Sequence, residues 1–482
     1  MTSPSRRDFV KVAAATASAV LVPSALRGQT LGGALTGRSS PSAESHGWER
    51  VPSILARIKP PTFAARSFPI ARYGARADGV TDSSAAFQRA IAACAAAGGG
   101  RVVVEEGTFL TGPIHLKSRV ELHVKEGATI KFVTDPKAYE LYVLTRFEGV
   151  EMMGLSPLIY ASNAHDIAIS GGGTLDGQAE NTVWWHWNGS ARYGWAQGMG
   201  NQRAARARLF EMAERNVPVA SRRFGVDSFL RPNFIQLYGC RNVLVEGVTI
   251  RNSPMWEINP VLCRNVTVRG VQIESHGPNN DGCDPDSCTD VLIERCRFDT
   301  GDDCIAIKSG RNADGRRVHV PTENVIIRDC EMRDGHGGVT IGSEISGGVR
   351  HVYAERNKMD SPNLDRALRL KNNAMRGGVL EHIYMRDVQV GQLADAVLQV
   401  DFLYEEGANG GFPPVVRDVE LLRVTSKKSN YALYLRGYDK GTIDDIRVID
   451  CTFDGVAKPD VVEHVTALVR RNVVVNGEKT SL

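Results

Sequence analysis

Residues 242–250 read NVLVEGVTI, and the pattern returns as NVTVRGVQI at 265–273, DVLIERCRF at 290–298, NVIIRDCEM at 324–332 and HVYAERNKM at 351–359. The starts lie 23, 25, 34 and 27 residues apart. Each segment alternates apolar and polar residues for a few positions and then stops, which describes a short strand and a turn. A unit of this size cannot bury its own apolar face, but a stack of them shares one continuous core. Strands this short, joined by loops of uneven length, predict an all-β chain folded as a right-handed parallel β-helix. A propeller would need a longer and more even repeat. Cys296, Cys330 and Cys451 fall at the seventh position of such segments, and Cys240, Cys263 and Cys288 lie two residues before one. That placement predicts interior thiol ladders, not disulfides or metal ligands.

Upstream, FPIARYGARADGVTDSSAAFQRAIAACAAAGGG (68–100) carries Ala86, Phe87, Ala90, Ile91 and Cys94 at helical spacing, behind a cap at Asp82-Ser83-Ser84 and ahead of three glycines. This predicts one N-terminal helix capping the solenoid. The β-helix is expected over 67–478 as a single domain, preceded by a Gly-, Ser-, Pro- and Ala-rich linker or arm at 29–66. Residues 1–28 combine Arg6-Arg7 with an apolar run from Val12 to Val22, too short to span a bilayer. They read as a twin-arginine-type export signal, so the mature protein is expected in the periplasm or outside the cell, not in a membrane. Removing Arg6, Arg7, Lys11 and Arg27 against Asp8 from totals of 58 basic and 55 acidic side chains leaves both at 54. That balance gives no footprint for nucleic acid.

A second strand can be aligned across the coils: IAIKS (305–309), VTIGS (339–343), LRLKN (368–372), LQVDF (398–402) and LYLRG (433–437). Side chains alternate between faces, so Ile305/Ile307 and their counterparts should point inward. Two outward columns remain. One holds Ala306, Thr340, Arg369, Gln399 and Tyr434; the other holds Lys308, Gly342, Lys371, Asp401 and Arg436. Lys308, Arg369 and Lys371 would then share a small basic surface. Asp302 precedes Ile305 by three residues, as His336 precedes Val339, and Asp281 precedes Cys283 as Asp302 precedes Cys304. Asp281, Asp302 and His336 are therefore expected to stack on successive coils, with Asp303 beside them. Asp302 and Asp303 can both reach one groove only if the backbone bends, and Gly301 offers the bend.

Clustered carboxylates are the working parts of glycosidic bond hydrolysis: one protonates the leaving oxygen while another activates water. Neighbouring cations suit a substrate that carries carboxylates, and together these imply an acidic polysaccharide. At this point the blocks Asn279-Asn280-Asp281-Gly282, Gly301-Asp302-Asp303-Cys304, Gly335-His336-Gly337-Gly338 with Ile341-Gly342-Ser343, and Arg369-Leu370-Lys371 resemble, in order, those of glycoside hydrolase family 28, the polygalacturonases. The resemblance runs from about Phe68 to Gly477 and is nearest the bacterial exo-acting branch. It implies inverting, single-displacement hydrolysis of α-1,4-linked galacturonate, with no metal and no cofactor. Asp302 would be the general acid, Asp281 and Asp303 would hold and activate water, and His336 would tune the acid. Arg369 and Lys371 would bind the substrate carboxylate, with Tyr434 and Asn280 as further substrate contacts. Lys308 joins the binding set on the column argument.

Residues 178–232 break the coil pattern. They contain Trp184, Trp185 and Trp187, then a short amphipathic helix around Leu209, Phe210, Met212 and Ala213. Such an insertion could wall off one end of the groove and restrict attack to chain ends; the tryptophans could equally serve only to pack it down. Other readings stay open here: a hydrolase of rhamnogalacturonan or a substituted galacturonan, a calcium-dependent pectate lyase, and a non-catalytic polysaccharide-binding β-helix. Oligomeric state has no signal.

Overall fold

The computed structural model describes residues 47–480. The export signal and the first part of the arm lie outside the described residues. Over the rest, the chain winds as a right-handed parallel β-helix with three faces. Two faces are continuous parallel sheets of 13 and 14 strands, the latter closed by an antiparallel last strand. The third face is a four-stranded sheet ending at Ile258–Val261 and a six-stranded sheet beginning at Ile305–Ile307. Only isolated bridges at Cys283 and Asp286 join the two. The regular ladder lapses at this one coil, and the acids lie beside it.

The repeated segments form the 13-stranded sheet in the expected register, Val243 to Val266 to Val291 to Val325 to Val352. Their recurrent first residue has a physical cause. Asn242, Asn265, Asp290, Asn324 and His351 all turn the corner at φ between 55° and 59°. Asn and Asp tolerate that left-handed conformation better than most residues. Neighbouring corners also bond side chain to side chain: the Asn265 amide donates to Asn242 at 2.8 Å, and that of Asn324 to Asp290 at 3.1 Å.

Helix α1 spans Val51–Arg57, α2 Ser84–Ala96, α3 Arg203–Glu214 and α4 Asn312–Val318. Helix α2 buries the apolar set its sequence predicts, Ala86, Phe87, Ala90, Ile91 and Cys94, against the first coils. Its entry is fixed by Asp82, whose carboxylate accepts from the Ser84 N–H at 2.8 Å. All nine cysteines are buried free thiols; Cys263 and Cys288 donate to main-chain carbonyls one coil back at 3.0 and 3.1 Å.

Residues 47–66 are not a free linker. Trp48, Val51, Ile54 and Ile58 are buried against Leu292, Ile326, Tyr353 and Tyr384 on the outer face of the 13-stranded sheet. The segment continues to Ser67–Pro69, which pairs with Arg101–Val103 as that sheet's edge strand.

Candidate active site

The third face keeps the predicted columns. Ala306 pairs with Thr340, Thr340 with Arg369, Arg369 with Gln399 and Gln399 with Tyr434; Lys371 pairs with Asp401 and Asp401 with Arg436. The apolar partners Ile305, Ile307, Val339, Ile341, Leu368 and Leu370 are buried in the core. With these side chains fixed inside, the intervening residues must project to the other face.

The chain bends at Gly301 and Asp302 just before the Ile305 strand, so Asp302 lines the cavity while Asp303 turns to the same side and lies buried against Lys371, which also lines it. A Cβ on Gly301 would collide with the Gly277 carbonyl of the previous coil. Gly337 plays a matching part opposite: a Cβ there would meet the Thr340 hydroxyl and lie 3.0 Å from an Asp303 oxygen. Asp303 is fully buried and held by Lys371 Nζ at 2.7 Å, the Thr340 hydroxyl at 2.8 Å and Arg369 at 3.4 Å. Burial by itself would raise its proton affinity, but Lys371 and Arg369 outweigh it and hold the carboxyl well below the usual carboxylate range. Asp302, partly exposed, accepts from its own neighbour's N–H at 3.0 Å and lies 3.0 Å from His336 Nδ1. That hydrogen bond raises the imidazole above its ordinary value against the opposing effect of burial.

Asp281 corrects the expected stacking. Cys283 bridges to Ile305, one residue beyond the Cys304 expected, and Gly282 N–H donates to the Asp303 carbonyl at 3.0 Å. Asp281 thus stands level with Asp303, not Asp302. The matched Asp-x-Cys spacing misleads because alternation is no ruler where a strand shrinks to single bridges. One oxygen from each of Asp281, Asp302 and Asp303 still lies within 4.8 Å of the others. Burial, then Asp284 and Asp302, push Asp281 well above the ordinary range, with Lys308 opposing.

The remaining expected residues divide. Lys308, expected on an open face, is 2% exposed and enclosed by carboxylates. Asn280 is no substrate contact: its amide accepts from Ser275 and Gly277 and donates to the Ser253 and Met255 carbonyls, all within 3.1 Å, which exhausts its capacity. Tyr434 lies two strands from Arg369, packed on Tyr431 and outside the cavity. The tyrosine beside the basic pair is Tyr404, whose ring centre is 5.5 Å from Lys371 Nζ and 5.8 Å from the Arg369 guanidinium.

The cavity, about 230 Å³, is also lined by residues the strand columns do not include: Glu148, Arg206, Trp256, Glu344, Tyr404 and Glu405. Glu344 directly follows the Ile341-Gly342-Ser343 block, and Tyr404 lies two residues past LQVDF, so both were near a legible signal. Glu148 sits in the turn of an antiparallel hairpin, Val143–Phe147 with Val150–Gly154, and Arg206 on α3 of the insertion. Arg206 Nε donates to Glu148 at 2.8 Å. Helix α3 buries Leu209 and Ala213 on that hairpin, and Arg231 at the insertion's end donates to the Pro278 carbonyl and Asn279 side chain at 2.7 Å. The tryptophans pack down: Trp184 and Trp187 join the main core, and Trp185 donates to the Ser253 carbonyl.

Positive charge at the acids comes from Lys308, Arg369 and Lys371. Outside the cavity lining, His276, Asp299 and Asp334 bring one donor atom each within 4.8 Å, a spacing that could gather a small cation. The wider groove of about 840 Å³ between the arm and the first strands contains no comparable acid cluster.

Comparison with known proteins places this geometry. Residues 226–470 match the profile described as glycosyl hydrolases family 28, and residues 68–134 match that of rhamnogalacturonase A/epimerase, pectate lyase-like. The chain is similar to a solved hyperthermoactive exopolygalacturonase from Thermotoga maritima, 46% identical, with a TM-score of 0.88 over 90% of this chain and 97% of that one. It is 28% identical to a probable polygalacturonase of Vitis vinifera over 82% of this chain and 75% of the relative. It is also 28% identical to an exo-poly-alpha-D-galacturonosidase of Dickeya chrysanthemi, over 70% of this chain and 57% of that protein.

Proposed function

Because the chain belongs to glycosyl hydrolase family 28, we propose that it hydrolyses α-1,4-galacturonosyl linkages of polygalacturonate from the chain end, by single displacement with inversion. The observation that carries the reading is the buried Asp303, paired with Lys371 and Arg369, grouped with Asp302 and Asp281, which line the cavity. In this reading Asp302, the most exposed of the three acids, donates its proton to the glycosidic oxygen, and His336 at 3.0 Å stabilises the carboxylate left behind. Asp281 and Asp303 orient a water and accept its proton. Arg369 and Lys371 reach the sugar carboxylate from the face opposite Asp303, with Tyr404 as the adjoining ring. The Arg206–Glu148 wall supports end-on attack, and a cavity of about 230 Å³ suits a single terminal sugar. The twin-arginine-type leader supports action on polymer outside the cytoplasm.

The spacing of the acids makes the stereochemistry worth measuring. Usual inverting carboxyl groups stand about 6.5–9.5 Å apart and retaining ones about 5–5.5 Å; here one oxygen of each acid lies within 4.8 Å of the others, a nearest-atom distance compatible with either outcome. In this reading inversion places the water between Asp281 and Asp303, with no covalent intermediate. The test is a digest of de-esterified polygalacturonate followed for reducing ends, ultraviolet absorbance of unsaturated products, product length and the anomer first released. Reducing ends, no new absorbance, monomer from the outset and a β-anomer are expected, all lost in Asp302→Asn while substrate still binds. An α-anomer would replace single displacement by a covalent route, and unsaturated product would replace hydrolysis by elimination.

A further inference from the structure

The two carboxylates assigned to water are served by different lysines. Asp303 has Lys371, Arg369 and Thr340 to itself. Asp281 has one cation, Lys308, whose Nζ lies 3.5 Å from Asp281, 3.3 Å from Glu344 and 3.8 Å from Asp284, and 4.3 Å from the centre of the Trp256 ring. Lys308 borders the cavity, but at 2% exposure its ammonium is enclosed by these three carboxylates and the Trp256 ring. A substrate carboxylate approaching it would compete with the three carboxylates already there and be repelled by them.

We propose that Lys308 is a positioning residue that fixes the charge and orientation of Asp281, and not a ligand of the substrate. The inference rests on the reading of Asp281 as a water-activating carboxylate. The groups facing Asp281 are Asp284, Asp302, Asp303 and the buried Glu257, all acidic, with Lys308 as the opposing cation. Those facing Lys308 are Asp281 and Asp284 from the preceding coil, Glu344 from the following one, and Asp303 at longer range, with the neighbouring Lys371 cation on the same side. Each acid makes Asp281 harder to ionise, and Lys308 makes it easier. Removing the cation should therefore leave Asp281 protonated to higher pH. Removing Glu344, its nearest competitor, should free Lys308 for Asp281 and act in the opposite sense.

The experiment is the pH profile of kcat/KM on polygalacturonate for the full chain and for Lys308→Met, Glu344→Gln and Asp281→Asn. Lys308→Met should move the acidic limb up by about 1–3 pH units, with KM on the plateau unchanged. Glu344→Gln should move that limb down. If Lys308→Met does not fold, the direction of the Glu344→Gln shift decides. A raised KM with an unmoved limb in Lys308→Met, or an unmoved or upward limb in Glu344→Gln, overturns the inference. Turnover surviving in Asp281→Asn would instead overturn the assignment of Asp281 on which it rests.

Discussion

Asp302 and His336 form the most exposed pair of the cluster, with side-chain exposures of 20% and 49% and a contact of 3.0 Å. The bond favours imidazolium, and the folded protein raises the imidazole above its ordinary 6.5, with the Asp302 hydrogen bond as the largest cause. The sign of the linked stability follows. A raised value means the folded state binds the proton more tightly, so the gain is complete below about pH 6.5 and disappears as pH rises through the folded value. Comparing the wild type with His336→Gln by denaturant titration should show the variant less stable at pH 5, with the gap closing as pH rises beyond 6.5 through the raised folded value. Half-exposure keeps the gap small, since water screens the pair. A gap that stays constant with pH would mean the loss is one of packing, without a charge on His336. Asp303 runs the other way: its lowered carboxyl adds stability that is present above the ordinary carboxylate value and is lost as pH falls through the folded one.

At the scale of elements, the distinction lies between what a strand period can announce and what it cannot. The columns from Ala306 to Tyr434 and from Lys371 to Arg436 were readable because every coil there contributes a full strand whose side chains alternate. Asp281 was misaligned by one residue because its coil contributes only bridges. Tyr434 was expected from the family resemblance; Tyr404 gave no periodic signal, because it sits where the chain has already left the strand. Glu148 and Arg206 gave no periodic signal, since a hairpin turn and an inserted helix bring them in from outside the solenoid. Their pairing makes a prediction that belongs to α3. Replacing the α3 segment by a short turn, or changing Arg206 to Ala, removes the group that closes the cavity beside Glu148. Longer oligogalacturonides should then appear early in a polygalacturonate digest while total reducing ends persist. Monomer as the sole early product in both variants would place the end-recognition elsewhere. Leu209 and Ala213 anchor α3 on the hairpin, so Arg206→Ala should leave the helix in place and is the cleaner of the two tests.

For the whole molecule, the stack carries its load without disulfides, and the segment before Ser67 bears on how the coils are held together. It runs against the order of the coils it crosses: Trp48 lies on Tyr353 and Tyr384, Arg57 pairs with Asp290, and Lys59 exchanges main-chain bonds with the Asn265 amide. Beyond that it becomes the edge strand beside Arg101. A solenoid repeat contacts only its neighbours, so its stability is a sum of local terms and its ends can fray independently. A strap tied to coils from Asn265 to Tyr384 adds links between coils that are not adjacent. Trp48 is its outer anchor, edge-on to Tyr353 at 5.4 Å between ring centres and covered by the Arg386 guanidinium at 3.8 Å. Trp48→Ala should cost about 3–5 kcal/mol, the range for truncating a buried aromatic. Because the strap lies on the 13-stranded sheet, apart from the face that holds Asp302 and Lys371, kcat on polygalacturonate should not change. Hydrogen exchange should show the loss concentrated in the strands bearing Leu292, Ile326, Tyr353 and Tyr384, with the coils N-terminal to Asn265 still protected. Uniform loss of protection along the whole helix would mean that the solenoid already unfolds as one unit, and that the strap merely covers apolar surface.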